Sequence, residues 1–245
     1  MDMTCAFTDA MPHDPRPADP TPGAAVRVAR IAVFGSFYRG YHVLDELLNG
    51  PVRQRFHVVG VATDDVSQPY ISSGKRVWQY EHRADEETMV RELAQEHGVP
   101  VHEGRVKTDG FRRTFGHDWA PDLCIAATFG QRIDEPLFGF PRLGFFNLHP
   151  CIEGEWPSPY AGPNPFQALI ADGRRHARVA LHRVDAGFDT GELIALSPRI
   201  AIPPGATVVD MHKLSSPVAA AFAVATLASL VDAAAAAALP ASLAR

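Results

Sequence analysis

The chain's reading turns on VRVARIAVF (26–34) and the GSFYRG (35–40) that follows it. An apolar, β-branched run of strand length, stopped by a glycine and followed by a helical segment from Tyr41 to Leu48, is the start of a β–α unit. The alternation then repeats. FHVVGVAT (56–63) predicts a second strand, and residues 86–97 a helix with Met89, Val90, Leu93 and Ala94 on one face and Gly98 as its stop. Val99–Val101 is a short third strand and Asp109–Phe115 a short helix. DLCIAAT (122–128) and GFFNLH (144–149) are further buried strands. A helix over Pro165–Ala171 is closed by Asp172-Gly173, and ARVALHRV (177–184) and GELIALSPRIAI (191–202) are strands joined by a turn. Such alternation requires right-handed crossovers, so the expected class is α/β with a doubly wound, largely parallel sheet and an antiparallel extension. Ligands in such sheets bind beyond the carboxyl ends of the strands, here just after Phe34, Thr128 and Phe146.

Three segments follow from this reading. Residues 1–25 carry Pro12, Pro15, Pro17, Pro20 and Pro22 and read as a disordered tail. Residues 26–210 form the α/β domain, and 211–245 a C-terminal helical extension. Within the last, VAAAFAVATLASLVDAAAAAAL (218–239) is long enough to span a bilayer, but it is mostly alanine and contains Asp232. An Ala-rich helix packed on its own domain, or at a homodimer interface, is the expectation; a membrane span is not.

Composition narrows the function. Of 245 residues, 46% are hydrophobic and 21% charged, with a formal net charge of −5, which disfavours gripping nucleic acid or an anionic membrane. Cys5, Cys124 and Cys151 are too few and too scattered for a disulfide framework or a thiolate metal site. No basic, apolar leader opens the sequence, so a cytoplasmic protein is expected.

Several motifs fail. GSFYRG lacks the G-x-G-x-x-G spacing of a dinucleotide loop, although the amides of Gly35 and Ser36 at the helix start remain candidates for an anionic substrate group. Gly74-Lys75 is followed by Arg76 where a phosphate-binding loop needs Ser or Thr. None of the histidines forms a convincing metal set.

One constellation survives. In GFFNLHP (144–150), Asn147 and His149 are two apart on a strand and share a face. In HRVDAGFDTGELIA (182–195), Asp185 and Asp189 lie in a Gly-rich turn. An amide donor, an imidazole and a carboxylate suit acyl transfer. By residue type alone, the same turn is more often a Gly-rich hairpin with Asx turns.

Asn147-Leu148-His149-Pro150 with Asp185-Ala186-Gly187-Phe188-Asp189-Thr190-Gly191 resembles the paired signature of the 10-formyltetrahydrofolate-dependent formyltransferases, whose fold is Rossmann-like. The resemblance runs from about Val28 to Ala201 and includes DLCIAATFGQRIDEPLF (122–138) and Tyr160-Ala161-Gly162. It implies Asn147, His149 and Asp189 as the catalytic trio, with 10-formyltetrahydrofolate as donor and no metal. It places the pterin along Ala127–Ile133 (Ala127, Phe129, Gln131, Arg132 and Ile133) and the turn holding Asp185, with Gly35, Ser36 and Tyr160 toward the acceptor. A His149 that is charged, or nearly so, beside Asp189 is part of that expectation.

The acceptor is expected to be a small amine or hydroxylamine. After Asp210 the only Lys or Arg are Lys213 and Arg245, which argues against RNA. The runs GVATDD (60–65), RVKTDGF (105–111), ATFGQRIDEPLF (127–138) and PRLGFFNLHP (141–150) are most similar to hydroxyornithine formyltransferases of siderophore biosynthesis. Glu153, Glu155 or Asp65 would then meet the acceptor's ammonium. An amino-sugar formyltransferase, a formyltetrahydrofolate hydrolase and a silent folate-binding module are the alternatives.

Overall fold

The computed structural model describes residues 28–65, 83–162 and 164–238. The expected tail at 1–25 and the Gly74-Lys75 pair lie outside these residues. Strands β1 (Ala29–Gly35), β2 (Phe56–Ala62), β3 (Val101–His102), β4 (Leu123–Ala127), β5 (Gly144–Cys151), β6 (His176–Arg183) and β7 (Leu193–Leu196) form one sheet in the order β3-β2-β1-β4-β5-β6-β7. β8 (Ile200–Ala201) pairs with the start of β6. Pairing is parallel from β3 to β5 and antiparallel from β5 to β7, as the alternation predicted. The architecture is the doubly wound, Rossmann-like α/β fold.

Strand parity divides the core into two layers. Ile31, Val33, Ile125, Ala127, Phe146 and Leu148 face helices α1 (Phe37–Asn49), α2 (Ala84–Glu96), α5 (Pro165–Ala171) and α6 (Val208–Ala237). Ala32, Phe34, Cys124, Ala126 and Phe145 face α3 (Asp109–Arg113), the π-helical turn Thr114–Trp119 and α4 (Glu135–Phe138). Phe34 is the hub of the second layer, with the rings of Phe111, Phe115, Phe129 and Phe145 5.0–6.0 Å away. Each such buried side chain contributes about 1.5–3 kcal/mol of burial.

Three boundaries differ from the sequence reading, each for a local reason. Helix α1 starts at Phe37 rather than Tyr41, through a tight turn in which Phe37 takes φ +58°. That turn brings Gly35 against Gly40 so closely that a Cβ on Gly40 would lie 2.6 Å from the Gly35 carbonyl carbon. The helix expected at 109–115 continues as a π-turn that buries Phe115 and Trp119. The strand expected over 191–202 breaks into β7 and β8 at Ser197-Pro198, because Pro198 has no N–H for a ladder. Gly98 and Gly173 close α2 and α5 with φ of +67° and +66°.

Helix α6 begins ten residues before the Ala-rich run, at a capping box in which Thr207 and Asp210 bond each other's backbone. It is long and apolar enough to cross a membrane by length and composition. Its Met211, Ala219, Ala220, Ala223, Val224, Leu227, Ala228 and Val231 are buried in the layer that contains α1. The Tyr38 hydroxyl donates to Glu86, which also faces Lys213 at 3.6 Å, tying α1, α2 and α6 together.

Candidate active site

The site exists because β5 outruns β4. Ala126 pairs with Asn147, the last register pair between the two strands, and β4 ends at Ala127 while β5 continues to Cys151. Beyond that point His149 and Pro150 are paired only on the β6 side, and a cavity of about 310 Å³ opens beside them. Thr128 turns the chain away with φ +57°, so residues 128–133 form a wall rather than more strand.

Period-two alternation puts Asn147 and His149 on the cavity side, as expected. Asp189 comes from the 184–192 turn at φ +54°, a conformation aspartate tolerates better than most side chains. Its Oδ1 accepts from Asn147 Nδ2 at 3.1 Å and its Oδ2 lies 3.4 Å from His149 Nδ1. The Gly162 amide donates to Oδ2 at 3.4 Å. His149 Nε2 faces the Tyr160 carbonyl at 3.0 Å and therefore carries a hydrogen. Its Nδ1 then presents a lone pair to Asp189 unless a second proton arrives.

Burial pulls the His149 pKa down, outweighing the Asp189 charge and the Tyr160 carbonyl, both of which raise it. That shift favours the neutral ring at pH 7, where the sequence reading expected one charged or nearly so. Only 5% of His149 is exposed, so the imidazolium loses too much hydration. Burial would raise the Asp189 carboxyl, but the hydrogen bonds it accepts, the Gly162 amide's among them, hold it below its ordinary value. The result is a carboxylate facing a neutral imidazole.

Phe129, Gln131, Arg132, Ile133 and Asp185 line the same cavity. Gln131 holds the loop by accepting from Val106 N and donating to Gly104 O. Arg132 bonds the Ala186 carbonyl and lies 4.7 Å from the Phe188 ring centre, linking the two cavity loops. Asp185 is turned inward on its own loop, accepting from Gly187 N and Thr190 Oγ1. Ala127 is fully buried on the α1 side, and only its carbonyl reaches the turn, accepting from Ser36 N.

Gly35, Ser36 and the Tyr160 side chain are not brought to the cavity. Ser36 Oγ donates to the buried Asp64 carboxylate at 3.0 Å, and Gly130 N donates to the same oxygen at 2.6 Å. This knot ties together the segments that follow β1, β2 and β4; a Cβ on Gly130 would lie 2.6 Å from the Asp64 oxygens. Tyr160 contributes its carbonyl, while its hydroxyl is bound to Asp172 and Arg174. Glu153 is bound by Arg178 and Arg199 and is not free for an acceptor's ammonium.

Among the titratable side chains that line the cavity, sequence reading missed three: Arg39, His182 and His212. His182 opens the HRVDAGFDTGELIA run, and its pairing opposite Asn147 was the one available signal. Among the described residues, no group of three or more His, Cys, Asp or Glu is placed to hold a metal.

A doubly wound sheet carrying an Asn–His–Asp cluster beside an apolar cavity is the layout of a group-transfer site. The chain belongs to the formyl transferase family, which it matches over residues 29–222. It is 29% identical over 168 residues to a methionyl-tRNA formyltransferase of Thermotoga sp. (strain RQ2), covering 69% of this chain and 49% of that protein. The chain thus spans about half the length of the curated relatives it matches. The fold is shared with phosphoribosylglycinamide formyltransferase from Anaplasma phagocytophilum (TM-score 0.63, 14% identity, 84% of this chain and 88% of that one). It is shared too with a formyltetrahydrofolate deformylase from Pseudomonas syringae pv. tomato (TM-score 0.60, 14% identity, 84% and 62%).

Proposed function

We propose that the chain transfers the formyl group of 10-formyltetrahydrofolate to a nitrogen of a small-molecule acceptor, the side-chain hydroxylamine of hydroxyornithine. The observation that carries the chemistry is the Asp189 carboxylate, bonded to Asn147 through one oxygen and facing neutral His149 with the other. The hydroxyornithine acceptor is supported by the similarity of the runs at 60–65, 105–111, 127–138 and 141–150.

The cavity lining supports a folate head as its occupant. Ala126, Phe129, Ile133 and Val184 give apolar walls, and the loops 128–133 and 185–188 bring backbone polar groups beside them. Its volume is at the small end of the usual range for ligand sites. The donor supplies an electrophilic formyl carbon on a nitrogen leaving group.

Both hydrogens of the Asn147 amide are engaged at rest, one by Asp189 and one by His182 Nε2. Exchange of one of them toward the formyl oxygen gives that oxygen a donor as negative charge develops. His149 Nδ1 is the basic site. A proton lost by the attacking nitrogen is held there against Asp189 Oδ2, and from there returns to the departing nitrogen. The buried setting strengthens that pairing once the charge exists.

Incubation of the purified protein with 10-formyltetrahydrofolate, hydroxyornithine, ornithine and an amino-sugar nucleotide tests the reading. Formylated hydroxyornithine appearing with tetrahydrofolate, and lost in His149→Ala, is the expected result. Formate release without any formylated acceptor overturns it in favour of hydrolysis, and formylation of the amino sugar alone reassigns the acceptor.

A further inference from the structure

Arg39 is a buried cation without a counter-ion among the described residues. It lies one turn into α1, is 3% exposed, and lines the cavity together with His149, Pro165 and His212. Its Nη2 donates to Ser215 Oγ at 3.1 Å and its guanidinium lies 5.7 Å from the Phe166 ring centre. Its Nε has no hydrogen-bond partner, and among the described residues no carboxylate forms an ion pair with it. Burial lowers its pKa to about 10, so it stays charged at neutral pH. An enclosed guanidinium with neither a paired charge nor its full set of acceptors is costly to the folded state.

The cost has a use if an anion arrives from outside. We propose that Arg39 binds the carboxylate of the acceptor, so that the substrate class is an amino acid that presents its reactive nitrogen from the side chain. This rests on the reading of the site as an acceptor-formylating one. Arg39 sits on the α1, α5 and α6 side of His149, whereas the loops suited to a folate head sit on the opposite side. A molecule reaching from Arg39 to Asn147 and His149 therefore needs an anionic end and a nucleophilic end separated by a chain.

The anion is a carboxylate rather than a phosphate. A guanidinium fork matches two carboxylate oxygens and one unit of charge. The other titratable group at this end, His212, is enclosed beside Phe166 and Arg39, and burial drives its pKa to about 3. It is neutral there, so a phosphate dianion would keep half its charge uncompensated. Glu153, already bound by Arg178 and Arg199, does not compete.

The test compares hydroxyornithine with its decarboxylated analogue, binding being measured by calorimetry in the absence of donor. The wild-type protein is expected to bind the amino acid at least about 30-fold more tightly than the amine, the scale of a buried charged contact. In Arg39→Gln that ratio should collapse toward one, while Arg39→Lys keeps part of it. The melting temperature of ligand-free Arg39→Gln should stay level or rise, since no ion pair is broken. A ratio kept in Arg39→Gln overturns the proposal. So does a loss confined to binding of a folate carrying its glutamyl tail and absent with a folate lacking it, which would assign Arg39 to the donor. Should Arg39→Gln fail to fold, an undiminished ratio in Arg39→Lys together with a large stability loss would mark a structural arginine. A carboxylate preference that depends on Arg39 without any formylation sinks the formylation reading and leaves Arg39's role standing. Formylation with an unchanged preference does the reverse.

Discussion

Asn147 of β5 and His182 of β6 face each other across the antiparallel pair, and the asparagine amide donates to His182 Nε2 at 3.1 Å. The His182 Nδ1 atom lies 2.8 Å from the Arg183 carbonyl and so carries the ring hydrogen, leaving Nε2 as the acceptor. Trp156 packs on the same ring at 4.9 Å between centres. A residue that sequence reading left without a role thus fixes the orientation of the candidate oxyanion donor.

Replacing His182 by Phe removes the acceptor while keeping a ring against Trp156. The expected outcome is a fall in kcat of about tenfold with KM for both substrates little changed, equivalent to roughly 1.4 kcal/mol of barrier. Steady-state kinetics read it; an unchanged kcat would show that Asp189 alone holds the amide.

Asn147→Ala deletes the donor itself. A loss of about 10²–10³ in kcat is expected, the usual scale for an oxyanion donor, with donor-substrate binding retained. Stopped-flow or discontinuous assays at saturating substrate separate this from a binding defect.

His149 should titrate below its ordinary value, because burial outweighs Asp189. Asp189 favours the imidazolium, so Asp189→Asn removes a stabilising negative charge and should lower the His149 pKa further. NMR titration of the imidazole in the two proteins checks the sign. A rise in the variant would mean that Asp189 is not the dominant charge at this ring.

His212 links stability to pH. Its pKa is about 3 in the folded protein and near 6.5 when unfolded, so the unfolded chain binds the proton first. Stability is therefore lost as pH falls from about 6.5 toward 3. Between pH 7 and 4.5, wild type should lose about 2.5 kcal/mol more than His212→Gln by urea unfolding.

Gly40→Ala tests the opening turn. The added carbon would meet Gly35 backbone atoms at 2.6–3.2 Å, with no flexible side chain able to yield. A loss of about 3 kcal/mol is expected, seen as a lowered denaturation midpoint.

What could be read from the sequence was what neighbouring residues decide. Period two placed Asn147 and His149 on one face, strand–helix alternation gave the parallel sheet, and Asp172-Gly173 marked the end of α5. Contacts between distant segments were not legible. Arg39 and Ser215 meet across 176 positions, and Asp64 reaches Gly130 across 66, with no local pattern to announce either. The start of α1 was missed because an aromatic at positive φ has no signature in composition. Ser36 looked like a ligand-binding amide, but its N–H donates to the Ala127 carbonyl and its hydroxyl to Asp64.

The cavity's two ends are encoded differently. One end is made by two short contiguous loops, 128–133 and 184–189, held to each other by Arg132 and Ala186. The other is assembled from single positions on three helices, with Arg39, Pro165 and His212 far apart along the chain. Substitutions at those scattered positions alter that end one residue at a time and leave both loops intact. A lineage built on this scaffold can therefore reshape the helical end of the cavity while inheriting the loop end unchanged.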